Sequence, residues 1–152
     1  MECRNPNAIQ TSPELKRILE NLSEGHIVAG VEPPEECSGY VLKESFRSKL
    51  CGHIPPSAEC YYSYKEERIR VTITEFPNVK EARSALLSAS SWFFNPMVKS
   101  EFSVGTEVGD AILYSDRMLT FVRYNVTVQI SALDANSHIE LANEIDTKIL
   151  KR

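Results

Sequence analysis

The fold of this chain is decided by the stretch RIRVTITEFPNVKEARSALL, residues 68–87. In its first half apolar residues alternate with polar ones, a pattern typical of an antiparallel strand with one face in the core and the other in water. Pro77 ends this strand, and Asn78 with Glu81 three residues later resembles a capping box. Apolar residues then recur at helical spacing to about residue 93. The stretch therefore predicts a strand followed directly by a helix.

A second unit with the same plan lies nearer the C-terminus. Residues 126–132 alternate between apolar and polar side chains as residues 68–76 do, and each strand follows a partner across a tight turn. The predicted partners are 61–65, which turns at Glu66-Glu67, and 118–124, which turns at Tyr124-Asn125. The parallel fits an ancient duplication, and it equally fits two independent hairpin–helix units that share a binary pattern.

The last predicted helix completes the second unit. Ser137 with Glu140 resembles another capping box, and apolar residues follow at helical spacing to Ile149. Two hairpin–helix pseudo-repeats of this kind predict an α+β fold. We expect a single antiparallel sheet with two to three helices packed mainly on one face.

The other segments are assigned from composition and periodicity. Ser12 and Pro13 predict the start of a helix whose apolar stripe runs to Leu22, with Gly25 as its stop. Further strands are predicted at 26–31, 40–46 and 111–114, and loops at 32–39 and 51–60. Residues 1–10 are predicted to form a flexible tail, and residues 11–152 a single α+β domain.

The bulk properties exclude several classes of protein. The chain has 152 residues, of which 42% are hydrophobic and 25% charged, as in an ordinary folded domain. Its net charge of −4 and scattered cations argue against nucleic-acid binding. No apolar run approaches the length of a membrane span, and the N-terminus lacks the layout of a signal peptide.

Cysteine and histidine are concentrated in CGHIPPSAEC, residues 51–60. Cys37, Cys51, His53 and Cys60 together offer the four ligands that a zinc site needs, but no CxxC spacing supports it. A disulfide between Cys51 and Cys60 is sterically easy, and free thiols are the equal alternative because the compartment decides. No metal or cofactor is expected.

The aromatic stretch SSWFFNPMV, residues 91–99, is the predicted binding surface. Consecutive helical positions point about 100° apart, so Trp92, Phe93, Phe94 and Met97 cannot all face one core. Exposed aromatic side chains often mark a ligand or partner site. The alternative is that this segment crosses between layers and buries all four.

No catalytic signature is present. The chain contains no GxGxxG, P-loop, HExxH or GxSxG motif, and its paired acids fall at predicted turns. An enzyme would need a site assembled from scattered groups such as His26 and His53 with acidic partners. The sequence therefore favours a protein that is not an enzyme.

The C-terminal third resembles small bacterial extracytoplasmic α+β domains, many of them carried on lipoproteins. The features that carry the resemblance are Gly109-Asp110-Ala111, the hairpin from Phe121 to Val126, and the helix from Ala142 to Ile149. The resemblance implies an exported protein, and hence favours the disulfide, but it implies no catalytic residue.

Together these observations predict a non-enzymatic, extracytoplasmic α+β domain that binds a protein partner or a small apolar ligand. The alternative is a cytoplasmic metal- or thiol-dependent module that uses Cys37, Cys51, His53 and Cys60.

Overall fold

The computed structural model describes residues 10–48, 55–95, 97–98 and 101–152. Three helices are present in these ranges: α1 (Pro13–Glu20), α2 (Val79–Ala89) and α3 (Ile139–Leu150). Short 3₁₀ turns follow α2 at Ser90–Phe94 and precede α3 at Ala135–His138. The strands are β1 (Glu36–Cys37), β2 (Tyr40–Ser48), β3 (Ser57–Tyr64), β4 (Glu67–Glu75), β5 (Ser103–Gly105), β6 (Ala111–Tyr114), β7 (Met118–Arg123) and β8 (Val126–Ser131).

All eight strands form one antiparallel sheet in the order β1-β2-β3-β4-β8-β7-β6-β5. The sheet consists of two four-stranded meanders, β1–β4 and β5–β8, which join where β4 pairs with β8. At this seam Val71 lies opposite Ile130 and Ile73 opposite Val128, so the apolar sides of both strands face the same way. The prediction of an α+β domain with a single antiparallel sheet is confirmed.

Helices lie on both faces of the sheet. The face that carries Val71 and Ile130 forms one core cluster with the apolar stripe of α3. On the opposite face, the stripes of α1 and α2 pack against Ala111, Leu113 and Val122 in a second cluster. Two of the three helices thus share a face, and they contact strands β5 to β8 there. We call this the α1–α2 face.

The helix starts follow the caps that the sequence predicts, with one exception. The Ser12 hydroxyl accepts a hydrogen bond from the backbone N–H of Leu15, and the Asn78 side chain accepts one from Glu81. The capping box predicted at Ser137 is wrong. A 3₁₀ turn precedes α3, and the Ser137 hydroxyl instead donates to the carbonyl of Asp134.

The strand predicted at 26–31 is wrong, because this segment is irregular. Its backbone polar groups are bonded by side chains rather than by a neighbouring strand. The N–H of Val28 donates to the Asn125 side chain, whose amide donates back to the Val28 carbonyl, and the N–H of Val31 donates to Glu75. Val28 and Val31 are buried in the core cluster that packs against α3, which we call the α3-face core. Satisfied backbone groups allow an irregular segment to be buried.

Two predicted loops contain strand. Residues 32–39 include β1, and β3 begins at Ser57, so Cys60 lies inside the sheet rather than in the predicted loop 51–60. The first hairpin turns at Lys65-Glu66, one residue before the predicted position, with both residues in the left-handed region. The sequence predicts no strand at Ser103–Gly105, where β5 lies. The predicted tail at 1–10 lies outside the described residues, apart from Gln10.

No helix within the described ranges combines the length and the apolar character needed to cross a membrane.

Candidate functional site

The most prominent concave surface lies on both sides of helix α2. On one side, between α1 and α2, is a groove of about 620 Å³, which we call the helix groove. Its floor is apolar, formed by Leu19, Ile27, Val79 and Leu87. Its rim is charged and is formed by Lys16, Glu20, Glu24, Lys80 and Arg83.

On the other side of α2 is a cavity of about 730 Å³, which we call the proline cavity. It lies between α2 and the end of the sheet where β4 finishes. Its walls are largely apolar and include Pro55, Pro56, Phe76, Pro77 and Ala85. The helix groove and the proline cavity both border Ile27 and Ser84, and together we call them the α2 cleft.

The sequence builds this cleft by placing small residues on α2 and by fixing the segment beside it. Ser84, Ala85 and Ser88 occupy the side of α2 that faces the proline cavity, and their short side chains leave space there. Asn125 pins the irregular segment through Val28, which holds the neighbouring Ile27 at the surface. The Ile27 side chain is consequently 63% exposed.

The segment that carries Ile27 is also held from its N-terminal side. The imidazole of His26 lies against the ring of Tyr124, with 3.8 Å between the ring centroids. A Cβ added to Gly25 would lie 3.0 Å from the same ring, so the absence of a side chain permits this close approach. The exposed position of Ile27 is therefore fixed by packing on both sides.

The predicted aromatic surface is divided by the structure. Phe93 is buried and stacks on Phe102 with 4.7 Å between centroids, and Phe94 is half-buried against the same ring. Trp92 is 39% exposed and Met97 is 85% exposed. Trp92 also borders a separate cavity of about 400 Å³ between the end of α2 and strands β7 and β8. Two of the four residues are thus at the surface, and one belongs to the core.

The open half of the α1–α2 face carries a second exposed surface. Phe46 on β2 is 58% exposed and meets the ring of Tyr61 on β3 edge to face. The guanidinium of Arg68 lies over that ring and pairs with Glu44 at 3.0 Å. Arg70 likewise pairs with Glu59, and exposed ion pairs of this kind are typical of a solvated sheet face.

The predicted cysteine and histidine ligands are not assembled into a metal site within the described ranges. Cys51 and His53 lie outside the described residues. Cys37 and Cys60, the two cysteines in the described ranges, form no disulfide with each other, and Cys60 is wholly buried with the Ser45 hydroxyl 3.7 Å from its sulfur. Burial raises the pKa of both thiols, which lowers the fraction of reactive thiolate. The Cys51–Cys60 disulfide stays a prediction.

A Tyr–His–Glu chain has the order of a catalytic triad but is enclosed. The hydroxyl of Tyr40 lies 2.7 Å from Nδ1 of His138, and Nε2 of His138 lies 3.2 Å from a carboxylate oxygen of Glu67. Tyr40 and His138 are each 1% exposed, and burial raises the pKa of Tyr40. A substrate cannot reach the Tyr40 hydroxyl. These hydrogen bonds therefore serve the structure, by connecting β2, β4 and the 3₁₀ turn before α3.

A buried ionic cluster fixes α3 to the sheet. Arg123 donates two hydrogen bonds to Asp146, at 2.8 and 2.9 Å, and a third to Asp110 at 3.2 Å. The backbone N–H groups of Gly109 and Tyr124 also donate to Asp146 and Asp110, respectively, so each of the four carboxylate oxygens accepts a hydrogen bond. The hydrogen bonds from Arg123 to Asp146 raise the pKa of the guanidinium. We call Asp110, Arg123 and Asp146 the arginine cluster.

Sequence reasoning missed the α2 cleft because its residues are scattered and chemically ordinary. Ile27 and Ser84 come together only through the fold, and Ile27 lies in the segment 26–31 that the sequence predicts to be a short strand. The arginine cluster lies within the segment that carries the resemblance, where Asp110 and Arg123 could have been noticed as charges in apolar strands. Comparisons with models of protein families, with curated proteins and with solved structures found no match to this chain.

Proposed function

We propose that this protein is a non-enzymatic binding domain that holds a small apolar ligand in the α2 cleft. The observation that carries the proposal is the pair of cavities, of about 620 and 730 Å³, that meet at Ile27 and Ser84. Ligand pockets in proteins commonly have volumes of roughly 300–1,000 Å³ and mostly apolar walls. Both cavities fit that description.

The exposed Ile27 side chain supports an apolar occupant. Burying an isoleucine side chain completely is worth roughly 1.5–3 kcal/mol, and Ile27 leaves most of that gain unused in the free protein. Its neighbours Leu19, Val79 and Leu87 line the adjacent groove. A ligand laid across this surface would remove apolar area from water on both sides of α2.

The cleft is favoured over the aromatic surface as the binding site for two reasons. Phe93 is part of the core, so the surface around Trp92 and Met97 is smaller than the sequence predicts. The cavity beside Trp92, at about 400 Å³, is also smaller than either part of the α2 cleft.

An extracytoplasmic location belongs to the same proposal, and it is supported by the resemblance of the C-terminal third alone. Fractionation of the native cells, followed by detection of the protein with an antibody, tests this part separately. Recovery with the cytoplasmic fraction would contradict the location while leaving the binding proposal unaffected.

Binding is tested with N-phenyl-1-naphthylamine, a neutral apolar fluorophore whose emission rises in apolar surroundings. We expect saturable binding to the unaltered protein. Ser84→Phe fills the meeting point of the two cavities from an exposed position, so it should weaken binding at least 10-fold without changing thermal stability. The matched control is Asn143→Phe, an equal change at an exposed position on α3.

The proposal predicts that Asn143→Phe binds as the unaltered protein does. It would be overturned by the absence of saturable binding, or by Ser84→Phe and Asn143→Phe binding the probe equally well.

A further inference from the structure

We propose that the natural ligand of the α2 cleft is a cationic amphiphile, with an ammonium group in the proline cavity and an alkyl chain in the helix groove. This inference rests on the proposed function and adds the chemical class of the ligand. It follows from the different charges that line the two parts of the cleft.

The proline cavity is lined by acids and by no base. Glu75 and Glu81 are its two charged residues, and no lysine, arginine or histidine is among the described residues that line it. The walls around these carboxylates are formed by proline rings, Phe76 and Ala85. An apolar cavity with two carboxylates is complementary to a ligand that carries a positive charge.

Glu75 is the better placed of the two carboxylates. It is half-buried, and one of its oxygens accepts a hydrogen bond of 2.9 Å from the backbone N–H of Val31. Within the described ranges, neither Glu75 nor Glu81 has a cationic side chain within 4.0 Å. A ligand ammonium beside Glu75 would add a charge-assisted hydrogen bond that no described cationic side chain provides within 4.0 Å.

The nearest cation to consider is Arg47, and its contacts are already made elsewhere. Arg47 shares a small void of about 20 Å³ with Glu75. Its guanidinium pairs with Glu32 at 3.0 Å and donates to the carbonyl of Val31 at 3.1 Å. Glu75 thus binds the N–H of Val31 and Arg47 its carbonyl, and the two side chains form no ion pair within 4.0 Å.

The helix groove has the opposite balance, which sets the orientation of the ligand. Its rim carries Lys16, Lys80 and Arg83 against Glu20 and Glu24, and Lys16 lies 4.0 Å from Glu20. A cation in this groove would meet the excess positive charge, whereas an alkyl chain would meet the apolar floor. The chain would therefore cross Ser84 and Ile27 into the groove while the ammonium stays beside Glu75.

The test compares three ten-carbon ligands by isothermal titration calorimetry: decylammonium and decanoate below their micellar concentrations, and decanol below its solubility limit. We expect decylammonium to bind roughly 10-fold or more tightly than decanol, because one charge-assisted hydrogen bond is worth about a tenfold change in affinity. Decanoate should bind more weakly than either. Lengthening the chain should tighten binding by about fourfold per buried methylene until the groove is full.

Glu75→Gln is the decisive variant, because a glutamine oxygen can still accept the hydrogen bond from Val31 while the charge is gone. We expect it to abolish the preference for decylammonium over decanol. Glu24→Gln, which removes an acid from the helix groove, is the matched control and should keep the preference.

The outcomes separate this inference from the proposed function. Equal binding of the three ligands, tighter binding of decanoate, or a preference that survives Glu75→Gln would overturn the inference and leave an apolar binding site intact. Failure of all three ligands to bind would overturn both the inference and the proposed function.

Discussion

The arginine cluster and the proline cavity both contain partly buried carboxylates. Within the described ranges, those of the arginine cluster are paired with a cation and Glu75 of the proline cavity is not. In the arginine cluster, Asp146 and Asp110 share the guanidinium of Arg123 and accept two backbone N–H groups as well. In the proline cavity, Glu75 accepts one backbone N–H group and has no cation within 4.0 Å in the described part of the chain.

This difference indicates which polar groups stabilise the fold and which remain for a ligand. A buried carboxylate whose acceptor positions are all used contributes to stability and has nothing left to offer a ligand. A carboxylate with an unused charge beside an apolar cavity contributes little to stability and can select a ligand. The same acid-to-amide substitution in both places should therefore give opposite results.

Asp146→Asn should have the largest effect on stability. Its amide cannot neutralise Arg123, and it offers one oxygen where the carboxylate offers two to the guanidinium and Gly109. Removing one partner of a buried ion pair costs about 3–5 kcal/mol, and because Asp110 still pairs with Arg123 the loss here should lie at the lower end, about 3 kcal/mol. We expect a loss of about that size in the free energy of unfolding, measured by urea denaturation.

The control for Asp146→Asn is Glu144→Gln, an acid-to-amide change at an exposed position on the same helix. It should alter the free energy of unfolding by less than about 0.5 kcal/mol. If Asp146→Asn were equally mild, the arginine cluster would contribute no more to the free energy of unfolding than a surface ion pair does. The contrast with the proline cavity would then be contradicted.

Much of the sheet was predictable because local patterns and tertiary packing agree there. Strands β4 and β8 alternate between apolar and polar side chains, and their apolar sides form the α3-face core as the period predicts. The caps at Ser12 and Asn78 are local hydrogen bonds, so sequence spacing alone locates them. The α+β class follows from these elements.

The failures occur where long-range contacts override local preference. Residues 26–31 have the composition of a strand, but Asn125 and Glu75, far away in sequence, supply their hydrogen bonds instead. β3 extends into the predicted loop because Ala58 and Cys60 fill the α3-face core opposite Ile73 and Val71. The α2 cleft depends on both of these outcomes, and so no local pattern could have predicted it.

Tyr40→Phe tests the enclosed hydrogen bonds that join Tyr40, His138 and Glu67. Its expected effect on stability lies between those of Asp146→Asn and Glu75→Gln. The substitution keeps the ring packing against Tyr64 and removes the hydroxyl that lies 2.7 Å from Nδ1 of His138. It leaves a buried polar nitrogen unsatisfied, which costs about 1–3 kcal/mol in the free energy of unfolding. Urea denaturation at pH 7.5 measures the loss.

The matched control is Tyr61→Phe, which removes a hydroxyl that donates to Glu59 on the open sheet face. Water can replace that hydrogen bond, so the change in stability should be much smaller. Equal losses from the two tyrosine variants would mean that enclosure of the Tyr40 hydroxyl has no energetic consequence.

Glu75→Gln should have the smallest effect on stability, within about 0.5 kcal/mol of the unaltered protein. The glutamine oxygen still accepts the hydrogen bond from Val31, and the substitution separates no ion pair shorter than 4.0 Å in the described residues. A loss near that of Asp146→Asn would show that Glu75 holds the segment of residues 26–31 in place through its charge. Near-neutral stability together with a lost preference for decylammonium would assign this carboxylate to ligand selection, because a residue needed only for the fold would change both measurements.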